Sequence, residues 1–410
     1  MKVLLVNTYA ETGGAAMAAN RLQSALNHAG VMTRLLVQNA ESMHDTDVVP
    51  ASDCLSPWRP LLDALPVLSW RRRRSPHWGN AWLNNAASRR AILDEAPDIV
   101  HLHWINHGFL SVEDVARLPR PLVWTLHDSW AFTGGCHSPQ DCRRFEQCCG
   151  ACPELGSRRE GDISRWVFRR KQKAWKNLNL TIITPSRWLA RNAESSSLLG
   201  AHRIEVIPNA ISMEIFKPMD RKSARQQLGL PVDKSLFLFA GHGAIRDWNK
   251  GGDLWLKALK TIAEAMPGME AVVAGRDMQM GTLSFAVHSL GALDPSRMAL
   301  ALNAVDALIL PSRMENLPNI AAESLACGTP VAAFAAGGLP EMIKSGQTGY
   351  LAAPYDAQDL ARGLVQLMRT SEKLRTNCIQ SAQRYRSEEV ARQHIHLYGD
   401  ILGVSTHAAH

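Results

Sequence analysis

The chain has 410 residues, of which 46% are hydrophobic and 20% are charged, with 28 Gly and 21 Pro. This composition excludes collagen-like, coiled-coil and intrinsically disordered chains, and the length leaves room for two or three domains of roughly 150 residues. The formal net charge is +7, and no apolar stretch approaches the ~20 residues of a membrane-spanning helix. Since the first residues lead directly into a strand-like segment with no secretory signal, we expect a cytoplasmic protein.

The first half of the chain alternates short apolar runs with helical patterns. A buried strand is predicted at 2–7, followed by a loop with Gly13 and Gly14 and an Ala-rich helix over 15–28. Further strands are predicted at 33–37, 98–103, 122–127, 180–184 and 203–208. This alternation is typical of a parallel sheet that is covered by helices on both faces.

A second unit of the same kind follows. Strands are predicted at 235–240, 270–275, 287–290, 305–310 and 330–334, and helices at 252–265, 319–327 and 356–368. The predicted fold class is therefore α/β, with two doubly wound, Rossmann-like parallel-sheet domains over 1–212 and 221–386. Ligands bind at the carboxyl ends of the strands in such folds, so we expect the two domains to face a common cleft. A last helix within 387–410 is expected to pack back on the first domain.

A basic, tryptophan-rich segment lies between Trp58 and Arg90. It holds seven arginines, including Arg71–Arg74, against one aspartate, with four tryptophans among them. This mixture is expected where a protein rests on anionic lipid headgroups, and a solvated loop with a few packed indoles is an equal alternative. Nucleic acid is not an expected partner, because the chain has no zinc-finger spacing, RNA-binding aromatic signature or dimeric basic helix.

Five of the eight cysteines cluster within 136–152. Cys149 and Cys152 form a zinc-knuckle-like turn, and Cys136 and Cys142 would complete four thiolates around a tetrahedral zinc ion. The other spacings in the cluster are not a standard zinc signature, so a disulfide or reduced thiols that order the loop are alternatives. His101, His103 and His107 lie nearby in sequence, and buried or cleft-lining histidines are favoured there over a metal pair.

Two glutamates eight residues apart are the most informative pair. Glu315 lies on a loop after the strand that ends near Leu310, and Glu323 lies on the second turn of the next helix. Pro318 suits the first position of that helix, since its missing N–H would be unsatisfied there. A helix N-terminus binds phosphate oxygens, and the two carboxylates can accept hydrogen bonds from the hydroxyls of a sugar nucleotide.

With this pair, the segments GGLPEMI at 337–343 and GQTGYL at 346–351 resemble glycosyltransferase family 4, the retaining GT-B enzymes. The resemblance extends over nearly the whole chain, through GGA at 13–15, VWTLHD at 123–128, PNAI at 208–211 and NKG at 249–251. The run over 124–153 is most similar to glycosyltransferases that assemble colanic acid and related exopolysaccharides.

The resemblance implies an activity and its partners. A sugar would pass, with retention of configuration, from a nucleotide-diphosphate sugar to a lipid-linked saccharide, in the synthesis of exopolysaccharide, capsule or another cell-surface polysaccharide. The second domain would bind the donor and the first the acceptor, with the cysteine-rich loop shaping the acceptor site. No cofactor or catalytic metal is implied, and the protein would lie on the inner face of the cytoplasmic membrane through the Arg71–Arg74 region.

The resemblance also implies roles for individual residues. His127 and Glu315 would be catalytic, and Lys250 would contact the diphosphate with help from Arg246. The other donor-binding residues would be Gly14, which allows close approach of the backbone; Asn316, Leu317 and Asn319, through their backbone N–H groups; and Glu323, at the ribose. The alternatives are an exposed lysine at a helix start, a structural His127 held by Asp128, and a plain strand–helix turn at Gly14.

Two other functions share the expected architecture. A GT-B nucleotide-sugar epimerase would convert its donor with no acceptor present and would need no basic patch. A non-catalytic, membrane-associated partner would bind the sugar nucleotide without turnover, and the paired Glu315 and Glu323 argue against it.

Overall fold

The computed structural model describes residues 1–39, 47–51, 55–70, 78–241, 247–275 and 285–404. These residues form two compact units. Unit 1 comprises Met1–Ala210 and the C-terminal segment from Ser387, and unit 2 comprises Ile211–Arg386.

Unit 1 is built on a parallel sheet. Its described strands are β1 (Lys2–Tyr9), β2 (Met32–Asn39), β3 (Val48–Pro50), β4 (Ile99–Leu102), β5 (Leu122–Thr125), β6 (Leu180–Thr184) and β7 (Arg203–Val206). They lie in the order β3-β2-β1-β4-β5-β6-β7, and each pairs with its neighbours in parallel. The helices are α1 (Gly14–His28), α2 (Arg59–Ala64), α3 (Ala86–Asp94), α4 (Val112–Ala116), α5 (Ile163–Trp175) and α6 (Arg187–Ser195).

Alternate side chains of β1 enter separate hydrophobic cores, because successive residues of a strand point to opposite faces. Leu4 and Val6 pack into one core, and Val3 and Leu5 pack into the other. Both faces of the sheet are therefore covered, as a parallel sheet requires. The chain's last described helix, which spans Ser387–Leu402, belongs to unit 1 and packs against α1.

Unit 2 repeats the architecture. Its described strands are β8 (Leu236–Ala240), β9 (Glu270–Ala274), β10 (Val287–Ser289), β11 (Ala307–Leu310), β12 (Val331–Phe334) and β13 (Gly349–Ala352), in the parallel order β10-β9-β8-β11-β12-β13. The helices of unit 2 are α7 (Arg221–Leu228), α8 (Gly252–Ala265), α9 (Pro295–Ala304), α10 (Asn319–Ala326), α11 (Leu339–Met342) and α12 (Ala357–Ala382). The last helix of unit 1, Ser387–Leu402, is numbered α13. One continuous core holds the sheet to its helices.

The predicted fold class, two successive parallel-sheet α/β domains, is confirmed. The strand predicted at 122–127 ends earlier, at Thr125, so that His127 lies on the connection beyond β5. The short strands β3 and β13 were not predicted, since each contains a residue type that is depleted in strands, Pro50 in β3 and Gly349 in β13. Among the helices of the described ranges, none is long and apolar enough to cross a membrane.

Candidate functional site

A turn and a loop of unit 2 are bound to each other through backbone and side-chain hydrogen bonds. The turn is the 3-10 helix Trp248–Lys250, which precedes α8, and the loop connects β11 to α10. The backbone N–H of Arg313 donates to the carbonyl of Asn249 at 2.8 Å, and the Asn249 side chain donates to the carbonyl of Met314 at 3.0 Å. The turn is thereby held against the loop that carries Glu315.

Arg313 strengthens this junction, although the sequence analysis did not single it out. Its guanidinium donates to the Trp248 carbonyl at 2.6 Å, lies 4.4 Å from the centre of the Trp248 ring, and binds both Asp253 carboxylate oxygens at 2.7–2.8 Å. An arginine two residues before Glu315 has no sequence signal of its own, because its partners lie about 60 residues earlier in the chain.

The junction brings Lys250 and Glu315 into contact. The Lys250 Nζ lies 2.7 Å from Glu315 Oε1, and the two side chains are 38% and 14% exposed. The Glu315 carboxylate raises the pKa of Lys250 above its ordinary value, against the opposing effect of burial. Lys250 is therefore a cation throughout the neutral range, held at one position and still reachable from solvent.

Gly337 lies directly against the backbone of Glu315. Its φ is +62°, and a Cβ at this position would lie 2.0 Å from the Glu315 carbonyl oxygen. The next residue, Gly338, donates its N–H to that same carbonyl at 2.8 Å. The two glycines of the GGLPEMI segment therefore fix the position of the Glu315 carbonyl, a role that the family resemblance did not assign to them.

Four further predicted donor-binding residues of unit 2 lie on the same loop and helix as Glu315. Asn316 and Asn319 are half-buried, and Leu317 and Glu323 are buried. The helix begins at Asn319, and Pro318 is its N-cap, with φ −68° and ψ 123°. Its prediction as the first helical residue is therefore wrong by one position, because this ψ is extended rather than helical.

Two more residues were predicted to bind the donor. Gly14 is the first residue of α1 in unit 1 and is exposed. Arg246 lies outside the described residues, as does Arg71–Arg74 of the predicted membrane-facing region.

Four histidines of unit 1, which we call the histidine cluster, meet at the carboxyl ends of β4 and β5. The cluster consists of His101, His103, His127 and His394. His103 Nδ1 and His127 Nε2 are 2.9 Å apart, and the two rings stack with centres separated by 5.2 Å. His101 bonds to the Tyr398 hydroxyl at 2.6 Å and to the Thr125 hydroxyl at 2.7 Å.

Burial keeps the histidine cluster neutral. It lowers the pKa of His127 and of His394 to about 4, and it lowers the pKa of His101 and of His103 well below the ordinary value. At neutral pH these rings are hydrogen-bonding groups without charge.

Asp128 directs its carboxylate to residues other than the histidine cluster. It accepts hydrogen bonds from His137 Nδ1 at 2.7 Å, from Trp104 Nε1 at 2.9 Å and from the Trp130 backbone N–H at 2.8 Å. Burial alone would raise the pKa of Asp128, but His137 and these hydrogen bonds lower it. Asp128 also acts on His127 through its charge, which raises the pKa of His127 against the larger effect of burial.

The cysteine-rich loop contains free thiols. Cys136, Cys142, Cys149 and Cys152 line one cavity, and none of them forms a disulfide. Burial raises the pKa of Cys149 to about 12 and that of Cys152 to about 11, so these thiols stay protonated. In the part of the chain that the structure describes, no three His, Cys, Asp or Glu residues form a group that could hold a metal ion. The zinc and disulfide alternatives are therefore not supported, and packed thiols remain.

The helix α2 and the turn after it expose their apolar side. Trp58, Leu61, Leu65 and Leu68 are 61%, 55%, 47% and 53% exposed, and they recur every three or four residues. The polar side chains Arg59 and Asp63 are buried instead, and burial raises the pKa of Asp63 to about 6. We call these four exposed residues the apolar ridge; such a row on a surface is typical of an interaction site.

Both halves of the chain match known protein families. Residues 12–215 match the family described as Glycosyltransferase Family 4, and residues 220–385 match Glycosyl transferases group 1.

Individual relatives show the same similarity. A D-inositol 3-phosphate glycosyltransferase of Mycolicibacterium paratuberculosis is 34% identical over 195 residues, and the match covers 43% of each chain. A protein of the same name from Acidothermus cellulolyticus is 27% identical over 76% of this chain and 69% of its own. The chain thus spans less than half the length of the first of these curated relatives.

Solved structures are similar over the full length of the chain. Sucrose-phosphate synthase from Thermosynechococcus elongatus is 19% identical, with a TM-score of 0.72, and covers 98% of this chain and 100% of its own. HepE of Anabaena, in complex with UDP-glucose, is 17% identical over the same shares, with a TM-score of 0.64. These similarities show the fold, which is GT-B.

Substitution of Gly337 by Ala should displace the backbone at Glu315. The matched control is Gly346→Ala, since Gly346 also has a positive φ, of +77°, but nothing lies within 4 Å of its added Cβ. We expect Gly346→Ala to cost about 1 kcal/mol from the left-handed conformation alone, and Gly337→Ala to cost about 2 kcal/mol more because a backbone carbonyl must move. Denaturant titration of both variants measures the difference, and equal costs would contradict the close contact.

Acid should destabilise unit 1 through His394. The folded pKa of about 4 lies below the ordinary value of about 6.5, so the unfolded chain binds the proton first as the pH falls. His394 makes its full contribution to the free energy of unfolding above pH 6.5. This contribution declines as the pH falls, and at pH 4 about 3 kcal/mol of it has been lost.

The variants His394→Leu and His396→Leu isolate this effect, because His396 lies on the same helix and is 73% exposed. Urea unfolding at pH 7 and pH 4.5 measures how much free energy of unfolding each variant loses on acidification. We expect this loss to be smaller in His394→Leu than in His396→Leu. The same loss in both would contradict a neutral, buried His394.

Proposed function

We propose that the chain transfers a sugar from a nucleotide-diphosphate sugar to an acceptor, with retention of configuration, because its two halves match Glycosyltransferase Family 4 and Glycosyl transferases group 1. Unit 2, which corresponds to the group 1 match, binds the donor, and unit 1 binds the acceptor. The observation that carries this proposal is the 2.7 Å contact between Lys250 and Glu315, because it joins the two motifs that the family resemblance assigned to one site.

In this proposal Lys250 and Glu315 act on different parts of the donor. The Lys250 ammonium exchanges part of its contact with Glu315 for the diphosphate and neutralises the charge that grows as the glycosidic bond breaks. Glu315 then accepts hydrogen bonds from the hydroxyls of the transferred sugar. Hydrogen bonds of Arg313 and Asn249 already hold the turn that carries Lys250 against the loop that carries Glu315. Little reorganisation therefore accompanies the reaction.

The other donor contacts follow the residue-by-residue resemblance. Glu323 accepts hydrogen bonds from the ribose hydroxyls, and the backbone N–H groups of Asn316, Leu317 and Asn319 face the phosphates at the start of α10. Gly14 and Arg246 are assigned to the diphosphate.

His127 is assigned to a hydroxyl of the transferred sugar or to the departing oxygen. The acceptor hydroxyl attacks the face of the sugar that the diphosphate leaves, which retains the anomeric configuration. The proposal requires no cofactor, since Lys250 and the helix amides supply the positive potential.

We propose a lipid-linked saccharide as the acceptor, in the synthesis of exopolysaccharide or another cell-surface polysaccharide at the inner face of the cytoplasmic membrane. Support comes from the apolar ridge, which ends close in sequence to the four consecutive arginines Arg71–Arg74. Apolar side chains beside cations suit an anionic bilayer surface. A second candidate acceptor is an inositol phosphate, as the names of the curated relatives indicate.

Removing either charge of the Lys250–Glu315 pair should abolish transfer. We expect Lys250→Met and Glu315→Gln each to lower kcat/KM by at least ~100-fold, the scale of losing one charge-stabilising group. The matched controls, Lys257→Met and Glu264→Gln on the exposed face of α8, should stay near wild-type activity.

The assay supplies UDP-, GDP- and ADP-sugars, including UDP-glucose, as donors. Each donor is tested with an extract that contains lipid-linked saccharides, with inositol 3-phosphate, and without an acceptor. Nucleotide release only with an acceptor supports transfer and identifies its class, whereas donor conversion without one supports an epimerase. Binding of a donor without any turnover would support a non-catalytic partner, and near-normal turnover in either charge variant would refute the assigned roles.

The apolar ridge should control binding to anionic membranes. We expect the double variant Trp58→Ser/Leu61→Ser to bind vesicles of phosphatidylcholine and phosphatidylglycerol at least about tenfold more weakly, since it removes two side chains that would enter the interface. Leu256→Ser, at an exposed leucine of α8, is the control. Raised salt should weaken binding of the wild type, and equal binding by both variants would exclude the ridge as the membrane surface.

A further inference from the structure

We propose that His103 is a positioning residue that holds His127 in a single neutral tautomer by donating a hydrogen bond from its own Nδ1. This inference rests on the role proposed for His127 and extends it to a residue to which neither the motifs nor the family resemblance assigned a part in the reaction.

The rings of His103 and His127 are joined by one hydrogen bond. His103 Nδ1 lies 2.9 Å from His127 Nε2, so one of these nitrogens donates a proton and the other accepts it. His103 is 3% exposed, and its second nitrogen, Nε2, is buried without a hydrogen-bond partner among the described residues.

The unpartnered nitrogen decides the direction of the hydrogen bond. If His127 were the donor, the proton of the neutral His103 ring would lie on Nε2, as a buried N–H with nothing to accept it. If His103 is the donor, Nε2 carries only a lone pair. Buried N–H groups without partners are rarer and more costly than unused lone pairs, so His103 donates.

The position of the His103 ring is set by the strands around it. Its backbone N–H donates to the Val6 carbonyl at 2.9 Å, and its carbonyl accepts from Trp124 Nε1 at 2.9 Å. The ring of His101 lies beside it, with centres 4.5 Å apart, and is itself bonded at both nitrogens. His103 therefore offers His127 a donor that has little freedom to move.

The consequence concerns the other edge of His127. With Nε2 accepting from His103, the proton of the neutral His127 ring lies on Nδ1, and that edge is a hydrogen-bond donor. A donor suits the lone pairs of a sugar hydroxyl or of a departing oxygen, whereas the opposite tautomer would present an acceptor there. His103 thus selects which of the two interactions His127 can make.

Two substitutions distinguish the roles of the two ring nitrogens of His103. The amide nitrogen of Asn lies near the position of imidazole Nδ1, and that of Gln lies near Nε2, so His103→Asn preserves the bond to His127 and His103→Gln does not. We expect His103→Asn to keep kcat within about threefold of wild type. His103→Gln should lower kcat at least tenfold with little change in the donor KM, measured with whichever sugar nucleotide of the panel is turned over. A purely structural role would lower both variants in parallel with their stability, which thermal unfolding measures.

Nitrogen-15 NMR of histidine-labelled protein reads the tautomer directly and requires no substrate. The His127 signals, assigned by their loss in His127→Gln, should show protonated Nδ1 in the wild type and in His103→Asn, and a tautomer mixture in His103→Gln. Protonated Nε2 in the wild type would overturn the proposal, as would equal kcat in the two His103 variants.

His127→Ala separates this proposal from the function on which it rests. If His127→Ala loses activity and His103→Gln does not, the positioning role fails and the role of His127 stands. If His127→Ala is fully active, both the catalytic role of His127 and the positioning role of His103 are refuted. The charge variants of Lys250 and Glu315 still test sugar transfer independently.

Discussion

The contact between Lys250 and Glu315 is the interaction on which the proposed donor site depends. A lysine and a glutamate 65 residues apart in sequence are joined at 2.7 Å, because two backbone segments are first bound to each other. Arg313 and Asn249 make that connection, and Gly337 leaves room for the Glu315 carbonyl. The ion pair by itself is partly exposed, and exposed ion pairs contribute little to stability. Its value lies in keeping a cation and an anion at fixed positions before any ligand arrives.

The parallel sheets explain why chemistry-bearing residues collect where they do. In unit 2, Glu315 follows β11 and Lys250 follows β8, and these two strands are neighbours in the sheet. In unit 1, His103 follows β4 and His127 follows β5, which are also neighbours. Loops after adjacent parallel strands emerge at the same edge, so each pair comes into contact without any long-range signal in the sequence. The same topological rule thus produces a charged pair in one unit and a neutral pair in the other.

This rule also marks how far prediction from the sequence could go. The alternation of strands and helices gave the fold class, and the motifs named Lys250 and Glu315, because both signals are local. Arg313 could not be found, since the partners of its side chain, Trp248 and Asp253, are distant in sequence. Reduced thiols were one of three alternatives for the cysteine-rich loop, and the sequence could not choose among them because burial, which raises the pKa of Cys149, leaves no periodic pattern in an irregular loop. The short strands and the N-cap position of Pro318 depend on backbone angles that residue types only bias.

Protonation further divides the tasks of the two units. Lys250 has a raised pKa and carries its charge at neutral pH, as binding a diphosphate requires. His127, with a pKa of about 4, is protonated in only about one molecule in a thousand at pH 7, so it is a poor reservoir for a catalytic proton. In the proposed reaction, Lys250 and backbone amides would therefore meet the charge that develops on the leaving diphosphate, while a neutral His127 would orient a hydroxyl without exchanging protons with it. The tautomer set by His103 consequently matters more to the proposed reaction than the acidity of either histidine.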